Sequence, residues 1–203
     1  MPNTWQTSAG TAAVGRPPPR ELSDGMVRLR IPTRLDIDRV VRYGSDPSLL
    51  DGNWIPGPRP EEGLREWASA FVQELIAGWT TEGGIHGGGL IVDEREPFLG
   101  IVYLLPTSAV AVSLSYGVAP YARKRGIASR AARLVAEWAL TQGGFDRVEL
   151  KIAHSHHESR RVAEKAGFRF VARFQTFVER TGETFEDLLY MRTWSDVIGQ
   201  AAV

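Results

Sequence analysis

The chain has 203 residues, with 24 Lys+Arg, 24 Asp+Glu, no cysteine and 43% hydrophobic content, a composition that suits one globular domain with a sizeable core. A formal net charge of zero supplies no field to gather nucleic acid or an anionic membrane surface. The lack of cysteine excludes disulfides, thiolate metal sites and a cysteine nucleophile; it fits a reducing interior, so a cytoplasmic location is expected, and no apolar run reaches the length of a membrane span.

Met1 to Gly25 is rich in Pro, Gly, Ser, Thr and Ala, with Pro17-Pro18-Pro19 near its end. It lacks the apolar core of a secretory signal and reads as a flexible tail. Residues 26–195 are expected to form a single domain, and 196–203 a C-terminal tail. Val27 to Ile31 predicts a strand. Leu35, Ile37, Val40 and Val41 recur at helical spacing, which predicts a helix over Asp36 to Tyr43. Ser45 to Pro60 is loop-like, with four prolines and two glycines. Glu61 to Gly78 carries Leu64, Trp67, Ala68, Phe71, Val72, Leu75 and Ile76 as one helical stripe.

After a glycine-rich link, Leu90 to Glu94, Phe98 to Leu105 and Val110 to Val118 predict three antiparallel strands, because their connections are short. Ile127 to Gln142 is an amphipathic helix ended by Gly143-Gly144. Val148 to Ala153 predicts a strand parallel to its predecessor, since a helix joins the two. Glu158 to Ala166 is a helix stopped by Gly167. Phe168 to Val178 and Phe185 to Met191 predict a closing hairpin.

The stretch from Ser113 to Leu140 carries the chemistry. A strand ends at Ala119-Pro120, followed by Arg123, Lys124, Arg125, Gly126, the small residues Ala128 and Ser129, and a helix. Loop amides and the first turn of a helix point N–H groups at one spot, and the helix dipole adds positive charge there. This predicts a phosphate-bearing ligand at that helix N-terminus. The sequence has no GxxxxGK followed by Ser or Thr, and no GxGxxG after a strand, which disfavours the two common nucleotide loops.

The spacing Arg123-x-x-Gly126-x-Ala128 resembles the acyl-CoA pyrophosphate loop of the GNAT superfamily of N-acetyltransferases. A second stretch, VELKIAHSHHESRRVAEKAGFRFVAR from Val148 to Arg173, is similar to the family's strand, Asn-x-x-Ser turn, short helix and Lys-x-Gly-Phe. Ser159, Lys165, Gly167 and Phe168 stand in the matching places, and His156 replaces the Asn. The resemblance covers about residues 26 to 195, closest to the RimJ/RimL-like branch. It implies a mixed, mostly antiparallel α/β sheet with a splayed parallel strand pair and helices on both faces.

The resemblance further implies acetyl-CoA as co-substrate, with Tyr116, Gly117 and Val118 offering backbone groups to the pantetheine arm. An amide there would polarise the thioester carbonyl. Arg123, Lys124, Arg125, Gly126, Ile127, Ala128 and Ser129 would hold pyrophosphate, and His156 would contact the cofactor arm. Ser159 is the candidate general acid toward the CoA sulfur. Ser113 stands where many relatives have a glutamate, which leaves His154 as candidate base. Asp51, Trp54, Phe177 and Tyr190 are candidates to line an acceptor pocket. His154, His156 and His157 without a carboxylate-rich partner set do not make a metal site.

The expected reaction is direct acetyl transfer to a primary amine of a small molecule or a protein N-terminus. A homodimer is an expectation of the resemblance. Two other classes compete: a non-catalytic acyl-CoA-binding or sensing module, and a nucleotide-binding α/β domain.

Overall fold

The structure is a computed structural model that describes residues 16, 19, 21–45, 61–80, 88–92, 98–178 and 182–198. Strands β1 (Glu21–Ser23) and β2 (Arg28–Arg30) precede helices α1 (Ile37–Gly44) and α2 (Glu61–Thr80). Next come β3 (Gly88–Val92), β4 (Gly100–Ser108), β5 (Ala111–Val118), α3 (Ile127–Thr141) and β6 (Arg147–Ala153). The chain then adds α4 (His157–Lys165), β7 (Arg169–Val178), β8 (Glu183–Thr193) and α5 (Trp194–Ile198).

Among the described residues eight strands form one sheet in the order β1-β2-β3-β4-β5-β6-β8-β7. Six of the neighbouring pairs are antiparallel and only β5/β6 is parallel. Parallel strands need a crossover, and α3 supplies it. The mixed sheet and its single parallel pair are therefore as the sequence predicts. Helices cover both faces, because Leu99, Ile101 and Val102 on and beside β4 are all buried although neighbouring strand residues point to opposite sides.

Two short elements escape the sequence reading. Glu21–Ser23, at the end of the predicted tail, pairs with β2. Asp24 then accepts from the Met26 and Val27 amides and meets Arg130 of α3 at 3.0 Å. A three-residue strand is too short to show a period of two. Trp194–Ile198 forms α5, where Asp196 accepts from the Thr193 amide and hydroxyl.

The site depends on where β5 and β6 stop pairing. They are in register at Ala111/Arg147, Val112/Val148 and Ser113/Glu149 and no further. Beyond that point β5 runs on for five residues, Leu114 to Val118, and β6 for four, Leu150 to Ala153. Each leans on its outer neighbour instead: β5 stays paired with β4 to Val118, and β6 with β8 to Ala153. The result is a V-shaped gap in the sheet.

Alternation assigns the two faces near the gap. Tyr116 donates to the Ser159 carbonyl on α4 at 3.2 Å, and Tyr190 meets Glu164 on α4 at 3.4 Å. Arg192 of β8 meets Glu137 on α3 at 2.9 Å. Even-numbered residues of β5, β6 and β8 therefore face α3 and α4. Tyr103 of β4, opposite Ser115 in the register, reaches Glu74 on α2 at 3.3 Å. Ser113, Ser115 and Glu149 thus share the face that carries α2.

Candidate active site

Val110 fixes the direction of the backbone groups at the gap. Its carbonyl accepts from the Arg147 amide at 3.2 Å. In a parallel ladder every second residue then turns its N–H and C=O toward the same neighbour. This assigns Val112, Leu114, Tyr116 and Val118 to the β6 side. Past the last paired position, Tyr116 therefore presents an amide and a carbonyl to the open gap. Val118 does so with its amide, while its carbonyl accepts from Arg123 Nε at 3.2 Å. Gly117 turns the other way, toward Ile101 of β4. Of the three sequence candidates on this strand, two face the gap with backbone and one faces the neighbouring strand.

After β5 a short 3-10 turn, Pro120–Ala122, leads into the basic loop. Proline at its first position cannot continue the strand ladder, which ends β5 there. Lys124 has φ 62 and Gly126 has φ 76, two left-handed residues within three. They reverse the chain so that α3 starts at Ile127 with Gly126 as its N-cap. The Gly126 carbonyl accepts from the Arg130 amide at 3.1 Å and from the Ser129 hydroxyl at 3.0 Å. Ile127 is buried and anchors the helix, while Arg123, Lys124 and Arg125 are exposed.

A Cβ built on Gly126 meets nothing within 4 Å. Open space therefore lies over the first turn of α3, bordered by three cations and the helix dipole. That is a cradle a phosphate fits. Replacing Gly126 by Val would strain the left-handed backbone and put a branched side chain into that space. The expected result is an acetyl-CoA Kd raised at least about tenfold, measured by calorimetry. Gly182, with φ 69 and nothing within 4 Å of its Cβ, lies on the β7–β8 hairpin; Gly182→Val controls for strain alone and should leave Kd unchanged.

The loop from β6 to α4 closes the other side of the gap. The His156 amide donates to the Ala153 carbonyl at 2.8 Å, and the Arg160 amide to the His156 carbonyl at 3.2 Å. His156 is exposed at the N-cap of α4 and makes no side-chain cap bond. His157 pairs with Arg160 at 3.3 Å. His154 has the parity of Leu150 and Ile152, so it stands on the α4 side at the mouth of the gap. Its Nδ1 lies 3.5 Å from Glu186, which also meets Arg173 at 3.4 Å.

The Tyr116–Ser159 bond ties β5 to the first turn of α4 across the gap. Burial pushes the Tyr116 phenol above its usual range, so it stays protonated. Ser159 is half-buried beneath it. Tyr103 is likewise held above its usual range, first by burial and then by the Glu74 carboxylate.

The acceptor candidates fare unevenly. Asp51 and Trp54 lie outside the described residues. Phe177 is exposed on edge strand β7, whereas Tyr190 is buried against α4, with its ring 5.9 Å from Phe170. These two are not brought together. The sequence reading singled out Ser113 but passed over what stands beside it on the α2 face of the V: Ser115 and Glu149, with Arg147 bonded to Glu149 at 2.7 Å. The register alone reveals it, since Ser113 and Glu149 are 36 positions apart in sequence yet adjacent in the sheet. Among the described residues no cluster of His, Asp and Glu could hold a metal ion, and no helix is long and apolar enough to cross a membrane.

Comparison with known proteins agrees with this fold. A family model described as an acetyltransferase (GNAT) domain matches residues 27–169. No curated protein matches the sequence. Among solved structures, a GNAT-family acetyltransferase from Bacillus anthracis is similar, with a TM-score of 0.71 at 17% identity, covering 86% of this chain and 99% of its own. A spermidine N-acetyltransferase from Vibrio cholerae, in complex with CoA and spermine, gives 0.67 at 13% identity over 86% and 99% of the two chains. The microcin C7 self-immunity acetyltransferase, in complex with acetyl-CoA and AMP, gives 0.67 at 14% identity over 84% and 93%. At such identities these structures speak for the fold.

Proposed function

The chain belongs to the GNAT family of acetyltransferases, and on that premise we propose that it moves an acetyl group from acetyl-CoA directly to a primary amine of a small molecule or a protein N-terminus. The observation that carries this reading is the gap itself. Unpaired Tyr116 backbone opens onto it, and a phosphate cradle lies one turn further along the chain.

Arg123 to Ser129 bind pyrophosphate through the α3 amides and their own charges. Tyr116 and Val118 pair with the pantetheine arm as an added strand would, and the Tyr116 amide donates to the thioester oxygen. The gap thereby holds the acyl carbon in line with a nucleophile arriving from the α2 face, where the sheet carries Ser113, Ser115 and Glu149. As the carbon–nitrogen bond forms and the carbon–sulfur bond breaks, the electron pair leaves on sulfur. Ser159 delivers a proton to that sulfur, within a turn that Tyr116 holds against β5.

His154 and His156 border the mouth of the gap, where we assign His156 to the arm of the cofactor; His154, the candidate base of the sequence, stands beside Glu186. Spermidine acetylation by a protein of similar fold, named above, supports an amine as acceptor. The balanced net charge supports neither nucleic acid nor membrane as partner. A cytoplasmic setting and a homodimer complete the proposal.

Ser159→Ala is expected to lower kcat about ten- to a hundredfold, with acetyl-CoA affinity retained. Equal kcat would take the hydroxyl out of the reaction. The function as a whole is tested by CoA release with a panel of amines: alanine- and serine-terminated peptides, polyamines and aminoglycosides. Release with at least one class is expected. Tight CoA binding without release from any of them would favour a non-catalytic acyl-CoA-binding module.

A further inference from the structure

We infer that Glu149 is the residue that takes the proton from the acceptor amine. The inference rests on the transfer reaction proposed above. An amine in water carries a proton that blocks attack, so a base must stand where the nucleophile approaches. The approach lies at the vertex of the V, on the face opposite α4, because the α4 face is taken up by Tyr116 and Ser159.

Glu149 is the carboxylate that the β5–β6 register puts at that vertex. It is the last β6 residue paired with β5, directly beside Ser113. Adjacent strands lie about 4.8 Å apart and a strand rises about 3.3 Å per residue, so a carboxylate on β6 covers the ground in front of Ser113, about 10 Å short of the Tyr116 backbone along the strand, and takes the amine proton through one bridging water. Its side chain is 12% exposed, which keeps bulk water from competing for the amine. Arg147 Nε bonds Oε1 at 2.7 Å and fixes the group in place. Oε2 has no partner among the described residues and is left for the bridging water.

Other titratable groups near the gap are less well placed. Lys151, two residues on with the same parity, is a cation and stands 5.9 Å over the Phe174 ring. Glu74 is exposed on α2 and meets the Tyr103 hydroxyl. His154 stands at the mouth on the other face, beside Glu186.

The proton balance is complete with these groups. The ammonium gives one proton to Glu149 before attack. As the tetrahedral adduct collapses, Ser159 gives its proton to the departing sulfur, and the second nitrogen proton passes through water to restore the Ser159 hydroxyl. Glu149 then releases its proton to water, and the net products are amide, thiol and one proton.

The test compares wild type, E149Q and E149A with an amine that the wild type acetylates. E149Q is expected to lower kcat about a hundredfold or more while leaving acetyl-CoA Kd and melting behaviour within twofold and a few degrees of wild type. Formate added to E149A should restore part of the lost rate, an effect that a purely structural role would not give. Near-normal kcat in E149Q, or a large loss that formate leaves untouched in a folded protein, overturns the assignment. If H154A alone loses rate, the proton belongs to His154. Failure of the wild type to acetylate any amine would instead overturn the proposed function, and is read before any variant is compared.

Discussion

Gly100→Ala is expected to damage both the stability of the domain and its hold on acetyl-CoA. A Cβ built at Gly100 would lie 2.2 Å from the Gly117 carbonyl oxygen and 2.9 Å from Val118 Cα. Both are backbone atoms of a paired strand, so no side-chain rotation relieves the contact. Gly100 and Val118 are partners in the β4–β5 register, and the strands approach this closely only because glycine has no Cβ. The methyl group must push the end of β5 away from β4. Overpacking of this kind costs about 1–3 kcal/mol, and more where the backbone must move, so the expected loss is about 3 kcal/mol. The displaced segment also carries Tyr116 and Val118, whose backbone groups we propose pair with the cofactor arm. Acetyl-CoA Kd should therefore rise at least about tenfold in the fraction that folds. Urea unfolding and calorimetry measure the two effects, and a variant with normal stability and normal Kd would refute the close approach of these strands.

Asp36→Ala should be the most destabilising change on the opposite side of the sheet from α3. Asp36 is fully buried. Arg30 grips both its oxygens at 2.8 Å, Arg39 adds a third contact at 2.8 Å, and the Thr33 amide donates at 2.8 Å. This network joins β2 to the start of α1. Burial alone would raise the carboxyl, but Arg30, the Thr33 amide and Arg39 together hold it down at about 2. Removing it takes the carboxylate from two guanidinium groups, of which Arg30 keeps only the Ile31 carbonyl, and leaves the Thr33 amide without its acceptor, at a cost of about 3 kcal/mol.

The same group makes stability depend on pH. A carboxyl depressed in the folded state contributes its full stabilisation above its unfolded value of 3.8 and loses it as pH falls toward about 2. The contribution is about 2 kcal/mol. Melting temperatures should therefore fall between pH 4 and pH 2 in wild type, with a shallower fall in Asp36→Ala, where this titration is gone. Parallel curves would show that other carboxyls govern acid unfolding.

Local sequence carried the elements that persist for several turns or for several alternations. The Ala131–Trp138 stripe marks α3, and the apolar run ending at Ala119-Pro120 marks β5. The turn into α3 was legible for the same reason: Gly126 and its basic neighbours are contiguous, and the left-handed glycine caps the helix start. The three-residue β1 and the five-residue α5 were not legible, because elements so short show no period and are held by contacts such as Asp24 with Arg130. The resemblance put Tyr116 to Val118 at the cofactor, but only the ladder separates Tyr116 and Val118, which face the gap, from Gly117, which faces β4. Tyr190 was a pocket candidate by residue type. Its position between β6 and β7 buries it against α4 instead.

What the sequence determined by itself was the kind of fold and family: a mixed sheet, a crossover helix whose glycine start and basic neighbours suit a phosphate, and a family whose reaction uses acetyl-CoA. Those features follow from adjacent residues, whose periodicity and turn chemistry act within a few positions. What only the tertiary structure decided was which side chains meet across the sheet. Register brings Glu149 beside Ser113 and lets Gly100 touch Gly117, and β8 inserts between β6 and β7. Strand pairing joins residues far apart in the chain, and its register is set by the summed burial of whole strands rather than by any residue alone.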